Sequence, residues 1–197
     1  MNKEELILEL YKIGVIKFGS FTLKSGIISP YYFNLRSICS YPEVLKKVAK
    51  AFSELLSKIE FDAVAGIPYA GIPLATAISL EINKKMIFTR KEAKNYGVGK
   101  MVIGDYKKGE KAVIIDDVIS DGASKIEAIV PLKEEGIIVK DIAVIVDRGQ
   151  KGPDLMKKQG LNCHYIFDIN DVISALNKHK KITPEQAKEA KEFLTAK

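Results

Sequence analysis

Apolar residues recur along this chain in two rhythms, one helical and one of short β-branched runs, and the places where they switch divide it into elements. Leu6, Ile7, Leu10 and Tyr11 fall at helical spacing, so Lys3 to Tyr11 reads as an amphipathic helix that Gly14 ends. Val15 to Leu23 is short, alternating and broken by glycine, which predicts a small hairpin. Ser25-Gly26 marks a turn, and Pro30 opens an extended aromatic segment. Pro42 to Ile59 sets Val44, Leu45, Val48, Phe52, Leu55 and Leu56 on one side of a helix with proline in its first turn.

From there strands and helices alternate. Strands are expected at Phe61–Ile67, Lys85–Thr89, weakly at Ile103–Tyr106, and then at Lys111–Asp116, Ile137–Asp147 and Cys163–Asp168. Helices are expected at Ile72–Ile82, from Lys125 to about Glu135, at Leu155–Gln159 and at Asp171–Asn177. A last helix starts at Thr183-Pro184, with Thr as cap and Pro at the first helical position. Such alternation predicts an α/β fold: a mostly parallel central sheet flanked by helices on both faces. No repeat, linker or low-complexity tract interrupts it, so residues 1–197 read as one domain.

The chain is organised around Lys111-Ala-Val-Ile-Ile-Asp-Asp-Val-Ile-Ser-Asp-Gly-Ala-Ser124. Ala112 to Ile115 suit a strand buried on both faces, and Asp116 and Asp117 stand where that run leaves the core. Ser120 to Ser124 is a short glycine turn before a helix. Strand, turn and helix start gather backbone N–H groups and the positive helix end around one point, which makes a phosphate site. Carboxylates cannot hold a phosphate, so Asp116 and Asp117 are expected to face hydroxyls or a nearby metal ion.

Three further segments carry candidate chemistry. Arg90 to Lys100 lies between two strands and sets Arg90, Lys91, Lys94 and Lys100 against the single acid Glu92, with Gly97 and Gly99 as hinges. A solvated charged loop is the ordinary reading. Beside a phosphate turn, a cationic lid that neutralises a leaving group and excludes water is the stronger one. Ala65 to Pro73 packs two glycines and two prolines into a strand-to-helix turn, permitting close backbone approach to a ligand or serving the turn alone. Arg148 follows a long apolar strand on the side where open α/β sheets bind ligands; it could fork onto a carboxylate or pair with Asp147. Lys24 by itself reads as a surface lysine.

Composition narrows the partners. The chain is 47% hydrophobic and 28% charged, with no apolar run near the roughly 20 residues that span a bilayer. Two Cys and two His, with no CxxC or Cys/His cluster, argue against a zinc site and suit a reducing cytoplasm. A net charge of +6 suits an anionic partner, and no aromatic-basic interleaving of the RNA-binding kind is present. A small polyanionic substrate explains the charge as well as nucleic acid does, and composition alone does not choose between them.

Taken together, these segments resemble the orotate phosphoribosyltransferases, type I members of the phosphoribosyltransferase family, over nearly the whole chain. Asp116-Asp-Val-Ile-Ser-Asp-Gly-Ala-Ser124 resembles their phosphoribosyl diphosphate motif, and Arg90-Lys-Glu-Ala-Lys-Asn-Tyr-Gly97 their catalytic lid. Phe21-Thr-Leu-Lys-Ser-Gly26 with Ser29-Pro-Tyr-Tyr-Phe-Asn34 resembles their N-terminal hood, and Val146-Asp-Arg148 their orotate-binding strand end. The resemblance implies the type I fold with a small hood, mainly 15–36 plus C-terminal segments, on a core of about 42–170. It implies phosphoribosyl transfer from phosphoribosyl diphosphate to orotate with Mg²⁺ held mainly by the substrate, in a cytoplasmic homodimer.

The resemblance also assigns residues. Lys24, the Tyr32-Phe33 backbone, Ser120 and Arg148 would hold orotate, and Asp116 and Asp117 the ribose. Ser120, Asp121, Gly122, Ala123 and Ser124 would hold the 5′-phosphate, and Val118 and Ile119 before them would also be substrate-binding. Arg90, Lys91 and Lys94 would hold the pyrophosphate, Tyr69, Ala70 and Tyr96 are further substrate-binding positions, and Arg90, Lys94, Asp116 and Asp117 would be catalytic. Three positions depart from the family pattern: Ala70 where many members carry Lys, Tyr96 where many bacterial members carry His, and Asp121 where a small neutral residue is usual. Asp121 is expected to turn away from the phosphate. Two alternatives remain at this point: a purine phosphoribosyltransferase, which Lys24 and Arg148 suit less well than an acidic base, and a non-catalytic sensor of phosphoribosyl diphosphate, against which the cationic lid argues.

Overall fold

The computed structural model describes residues 2–23, 26–91 and 101–195. Its centre is a six-stranded sheet of β3 (Ala63–Gly66), β4 (Lys85–Thr89), β5 (Val102–Ile103), β6 (Lys111–Ile119), β7 (Ile138–Asp147) and β8 (Asn162–Asp168), in the order β5-β4-β3-β6-β7-β8. Every pairing is parallel except the short edge strand β5, which runs against β4. Helices α2 (Pro42–Leu56), α3 (Gly71–Ile82), α4 (Ala123–Glu134) and α5 (Gly152–Lys158) lead into or connect the strands, and α6 (Ile169–Lys178) follows the last of them.

Period-two alternation on β6 decides how the two faces are filled. Val113 and Ile115 enter a core with Phe52 of α2 and Ile78 of α3; Ala112 and Ile114 enter a second core with Ile129 and Leu132 of α4. Both faces are therefore buried, which is why this strand reads as a continuous apolar run.

The N-terminal segment folds differently from the expected hairpin within Val15–Leu23. That stretch is one strand, β1 (Ile16–Thr22), paired antiparallel with β2 (Ile28–Phe33), and the register slips between Phe18 and Phe21. The glycine at position 19 (φ 147°) makes the irregularity rather than a chain reversal. Between β2 and α2 lies a short 3₁₀ helix, Leu35–Ser40, that local pattern did not predict.

The first helix, α1 (Lys3–Lys12), packs beside α6, and α7 (Pro184–Thr195) folds back over β2, where Phe193 meets the Tyr31 ring edge-on at 5.8 Å. The Thr183 cap is as expected: its hydroxyl accepts from Gln186 N, and the Gln186 side chain accepts from Thr183 N.

Candidate active site

β3 passes to β4 on one side of the sheet and β6 to β7 on the other, so the order reverses between β3 and β6. A crevice opens there beyond the carboxyl ends of the strands, where sheets of this kind bind ligands. It forms a cavity of about 420 Å³ walled by Arg36, the Ile67–Ala70 turn, Asp116, Asp117, Val118, Ser120, Asp121, Gly122, Ser124 and Lys125.

One wall is the β3–α3 turn. Gly71 lies so close to β6 that an added Cβ would sit 2.2 Å from the Ile115 carbonyl oxygen, and Gly66 is crowded by the Gly71 carbonyl at 2.9 Å. Only glycine admits this approach. Tyr69 is exposed, and the Lys91 ammonium lies 5.4 Å from its ring centre. Ala70 is buried and brings no cation.

The opposite wall is the end of β6 and the start of α4. β6 runs three residues past the expected Asp116 boundary and stays paired with β7 as far as Ile119–Asp147, so both aspartates sit within the strand. Alternation sends Asp116 toward α4 and Asp117 toward the hood-side face. Asp116 Oδ2 pairs with Lys125 Nζ at 2.5 Å, and Asp116 Oδ1 accepts from Asp117 N at 2.9 Å. The Asp117 carboxyl is pushed up to about 7, first by burial and then by the charge of Asp116; Lys125 and Arg36 pull it back down.

The turn that follows is held from below, because Arg148 N donates to Ile119 O and Gly152 N to Ser120 O. Gly122 adopts φ 86° and opens α4 with its first-turn N–H groups facing the crevice end. Asp121 turns its carboxylate back onto the helix start, where Oδ1 accepts from Ala123 N at 3.1 Å. The carboxylate therefore takes up one helix-start donor at the edge of the cavity that it lines. Val118 lines the cavity, Ala123 is exposed, and Ile119 is fully buried, so Ile119 can meet a ligand only through its backbone.

Arg148 stands one strand over. Its Nε and Nη2 are buried without a hydrogen-bond partner among the described residues, and its guanidinium lies 5.5 Å from the centre of the Tyr31 ring. Buried donors of this kind call for an acceptor that the described residues do not supply. On the hood above, Tyr32 stacks on Phe21 at 5.5 Å and Phe33 packs against the buried Tyr31. Arg90 N donates to Met101 O, while its Nε is buried and unpartnered among the described residues. Lys24, Lys94 and Tyr96 lie outside the described residues.

Sequence pattern missed two cations of the cavity. Arg36 sits on the 3₁₀ helix and reaches the crevice from the hood side; Lys125 looks like an ordinary helix-surface lysine and is 5% exposed. Neither has a local signal, because each is brought to the site by packing. Lys125 is engaged by Asp116, which leaves Arg36 as the exposed cation of this wall among the described residues.

No group of three or more His, Cys, Asp or Glu among the described residues is arranged to hold a metal ion. Both oxygens of Asp116 already have partners, one of them an ammonium. That donor set fits a Mg²⁺ ion brought in on a polyphosphate and ligated by it. No helix among the described residues is long and apolar enough to cross a membrane.

Comparison with known proteins agrees with this geometry. Residues 35–174 match the model of the phosphoribosyl transferase domain. The chain is 38% identical to the orotate phosphoribosyltransferase of Pyrococcus abyssi, over 88% of this chain and 96% of that protein. It is also 38% identical to the bifunctional enzyme PyrF/PyrE of Nostoc sp., over 92% of this chain and 38% of that protein. Among solved structures, UMP synthase of Leishmania donovani superposes with a TM-score of 0.92 at 36% identity, covering all of this chain and 43% of that one. The chain thus spans about two fifths of the length of these last two relatives.

Proposed function

The chain belongs to the phosphoribosyltransferase family, in its orotate branch, and from that premise we propose that it transfers the 5-phosphoribosyl group of phosphoribosyl diphosphate to orotate. The products are orotidine 5′-phosphate and pyrophosphate. A ring nitrogen of orotate forms the new bond to ribose C1, and the bond from C1 to the diphosphate oxygen breaks. The observation that carries this reading is the crevice itself. It joins a helix-start phosphate turn, a buried aspartate pair and cations around one cavity, with unpartnered Arg148 donors one strand away.

The division of labour follows from chemistry. The N–H groups of the 120–124 turn hold the 5′-phosphate, and Asp116 and Asp117 accept hydrogen bonds from the ribose hydroxyls. Arg148 forks onto orotate's carboxylate or carbonyl oxygens, with Lys24, the Tyr32-Phe33 backbone and Ser120 completing that subsite. Arg36, Arg90, Lys91 and Lys94 balance the charge that grows on the leaving pyrophosphate, so catalysis is mainly positioning and electrostatic stabilisation. Mg²⁺, held by the oxygens of the diphosphate, supplies further charge neutralisation when bound. No side chain of this chain is assigned to it.

A spectrophotometric assay with phosphoribosyl diphosphate, Mg²⁺ and either orotate, adenine or uracil tests the reading. Turnover of orotate alone is expected; turnover of adenine but not orotate would overturn it, and no turnover with tight nucleic-acid binding would favour a sensor. Arg36→Ala should weaken phosphoribosyl diphosphate binding about tenfold, the value of one charge-assisted contact. Calorimetric Kd values that match the parent chain would remove Arg36 from the diphosphate subsite.

The same reading makes the protein a cytoplasmic homodimer in which Lys94 serves the partner's site. Mixing the dead variants Lys94→Ala and Asp117→Asn under subunit exchange should restore activity, since one site of a mixed dimer keeps both residues. Exchange confirmed by mass without recovered activity would mean that the segment from Arg90 to Lys100 acts within its own subunit.

A further inference from the structure

Lys125 is the least expected charge in this structure. It occupies the third position of α4, at the positive end of the helix, where an added cation is disfavoured. Its side chain is 6% exposed and that of its partner Asp116 10%, so both charges are withdrawn from water, at a cost that apolar packing would avoid. Such a pair at the rim of a binding cavity calls for a purpose other than stability.

We propose that Lys125 is a positioning residue of the site: its ammonium fixes the Asp116 carboxylate toward α4 and, through its charge, keeps the neighbouring Asp117 available as an ionised acceptor for ribose hydroxyls. The role rests on the transferase reading above. The geometry supplies both halves of the argument. Asp116 is held at one oxygen by Lys125 and at the other by the Asp117 backbone, which fixes its orientation while its remaining lone pairs stay open to the cavity that it walls.

Asp117, on the other face, is buried beside a like charge, and both effects favour its neutral form. A protonated Asp117 would offer one fewer acceptor to a ribose diol. Two cations oppose that protonation: Lys125 from α4 and Arg36 from the 3₁₀ helix. The other charged or titratable groups that wall the cavity among the described residues are Asp121 and Tyr69, both exposed. Cys163 of β8, whose thiol is pushed up to about 11 by burial and Asp147, also feels the Lys125 charge. Of all these groups, only Lys125 makes a direct ion pair within the aspartate pair.

The test separates charge from shape. Lys125→Gln, one atom shorter, keeps a hydrogen-bond donor but removes the charge; Lys125→Arg keeps the charge. Carbon-13 NMR of the aspartate carboxyls in the ligand-free protein should show Asp117 titrating about one pH unit higher in Lys125→Gln and near its original position in Lys125→Arg. The acidic limb of kcat/KM for orotate and phosphoribosyl diphosphate should move by the same amount. Activity of the glutamine variant would then fall about tenfold at pH 6.5 and largely recover at pH 9. An Asp117 titration that does not move overturns the proposal, as does a loss of activity equal at every pH. If the parent chain does not turn over orotate, the transferase reading fails, while the NMR titration still decides whether Lys125 governs the pair.

Discussion

Replacing Asp117 by asparagine is expected to lower kcat/KM for phosphoribosyl transfer at least about tenfold while leaving the chain no less stable. The loss follows from removing a charged acceptor of the ribose hydroxyls, whose hydrogen bonds are worth about 1.5–3 kcal/mol. The stability follows from the raised carboxyl. Folding lifts Asp117 from 3.8 to about 7, so the folded chain holds this proton more tightly than the unfolded chain. Between those values the unfolded state has given up its proton and the folded state has not, and stability falls as pH rises. Above about 7 the full penalty of a buried like-charge pair remains. Asparagine removes it, so the variant's melting temperature should exceed that of the parent by more at pH 8 than at pH 5. Each kcal/mol relieved would appear as about 2–4 °C. Melting curves and steady-state kinetics across that range decide the matter. A variant that is inactive because it melts early would make Asp117 a structural residue.

Gly71→Ala should be the most damaging single-methyl change on the turn side. The added carbon would lie 2.2 Å from the Ile115 carbonyl oxygen, a backbone atom of the central strand that cannot step aside. The start of α3 would have to move away from β6, carrying with it the Ile67–Ala70 wall of the cavity. Overpacking of this kind costs about 1–3 kcal/mol, which corresponds to a fall in melting temperature of roughly 2–12 °C at this chain length. Activity should fall further than stability explains, because the displaced turn faces the ligand. Unchanged melting and unchanged kcat/KM would show that α3 tolerates a shift the cavity does not feel.

Much of the fold was legible in local pattern. The helical spacing of α2, the proline and threonine at the start of α7, and the apolar run of β6 each depend on residues within one or two turns of one another. The aspartate pair and glycine turn were legible for the same reason: a strand, a positive-φ residue and a helix start form a site from contiguous residues. Where local pattern failed, it failed at pairing. Val15–Leu23 alternates whether it folds on itself or pairs with Ile28–Phe33, and only the register with β2 distinguishes the two.

The chemistry of the crevice needed tertiary structure. Arg36 reaches the cavity because β2 and the 3₁₀ helix dock the hood over the sheet, and Arg148 loses its solvent beside Tyr31, which is itself held by Phe193 of the last helix. Lys125 is an unremarkable helix residue in one dimension; the rotation of α4 against β6 turns it inward onto Asp116. The chain by itself therefore determined most of the elements, the sheet's parallel character and the glycine turn, because backbone propensity and period act between near neighbours. Which charges face one another, which lose their water and which stay free for a ligand was decided only by packing, since burial and Coulomb forces act between residues that the sequence keeps far apart.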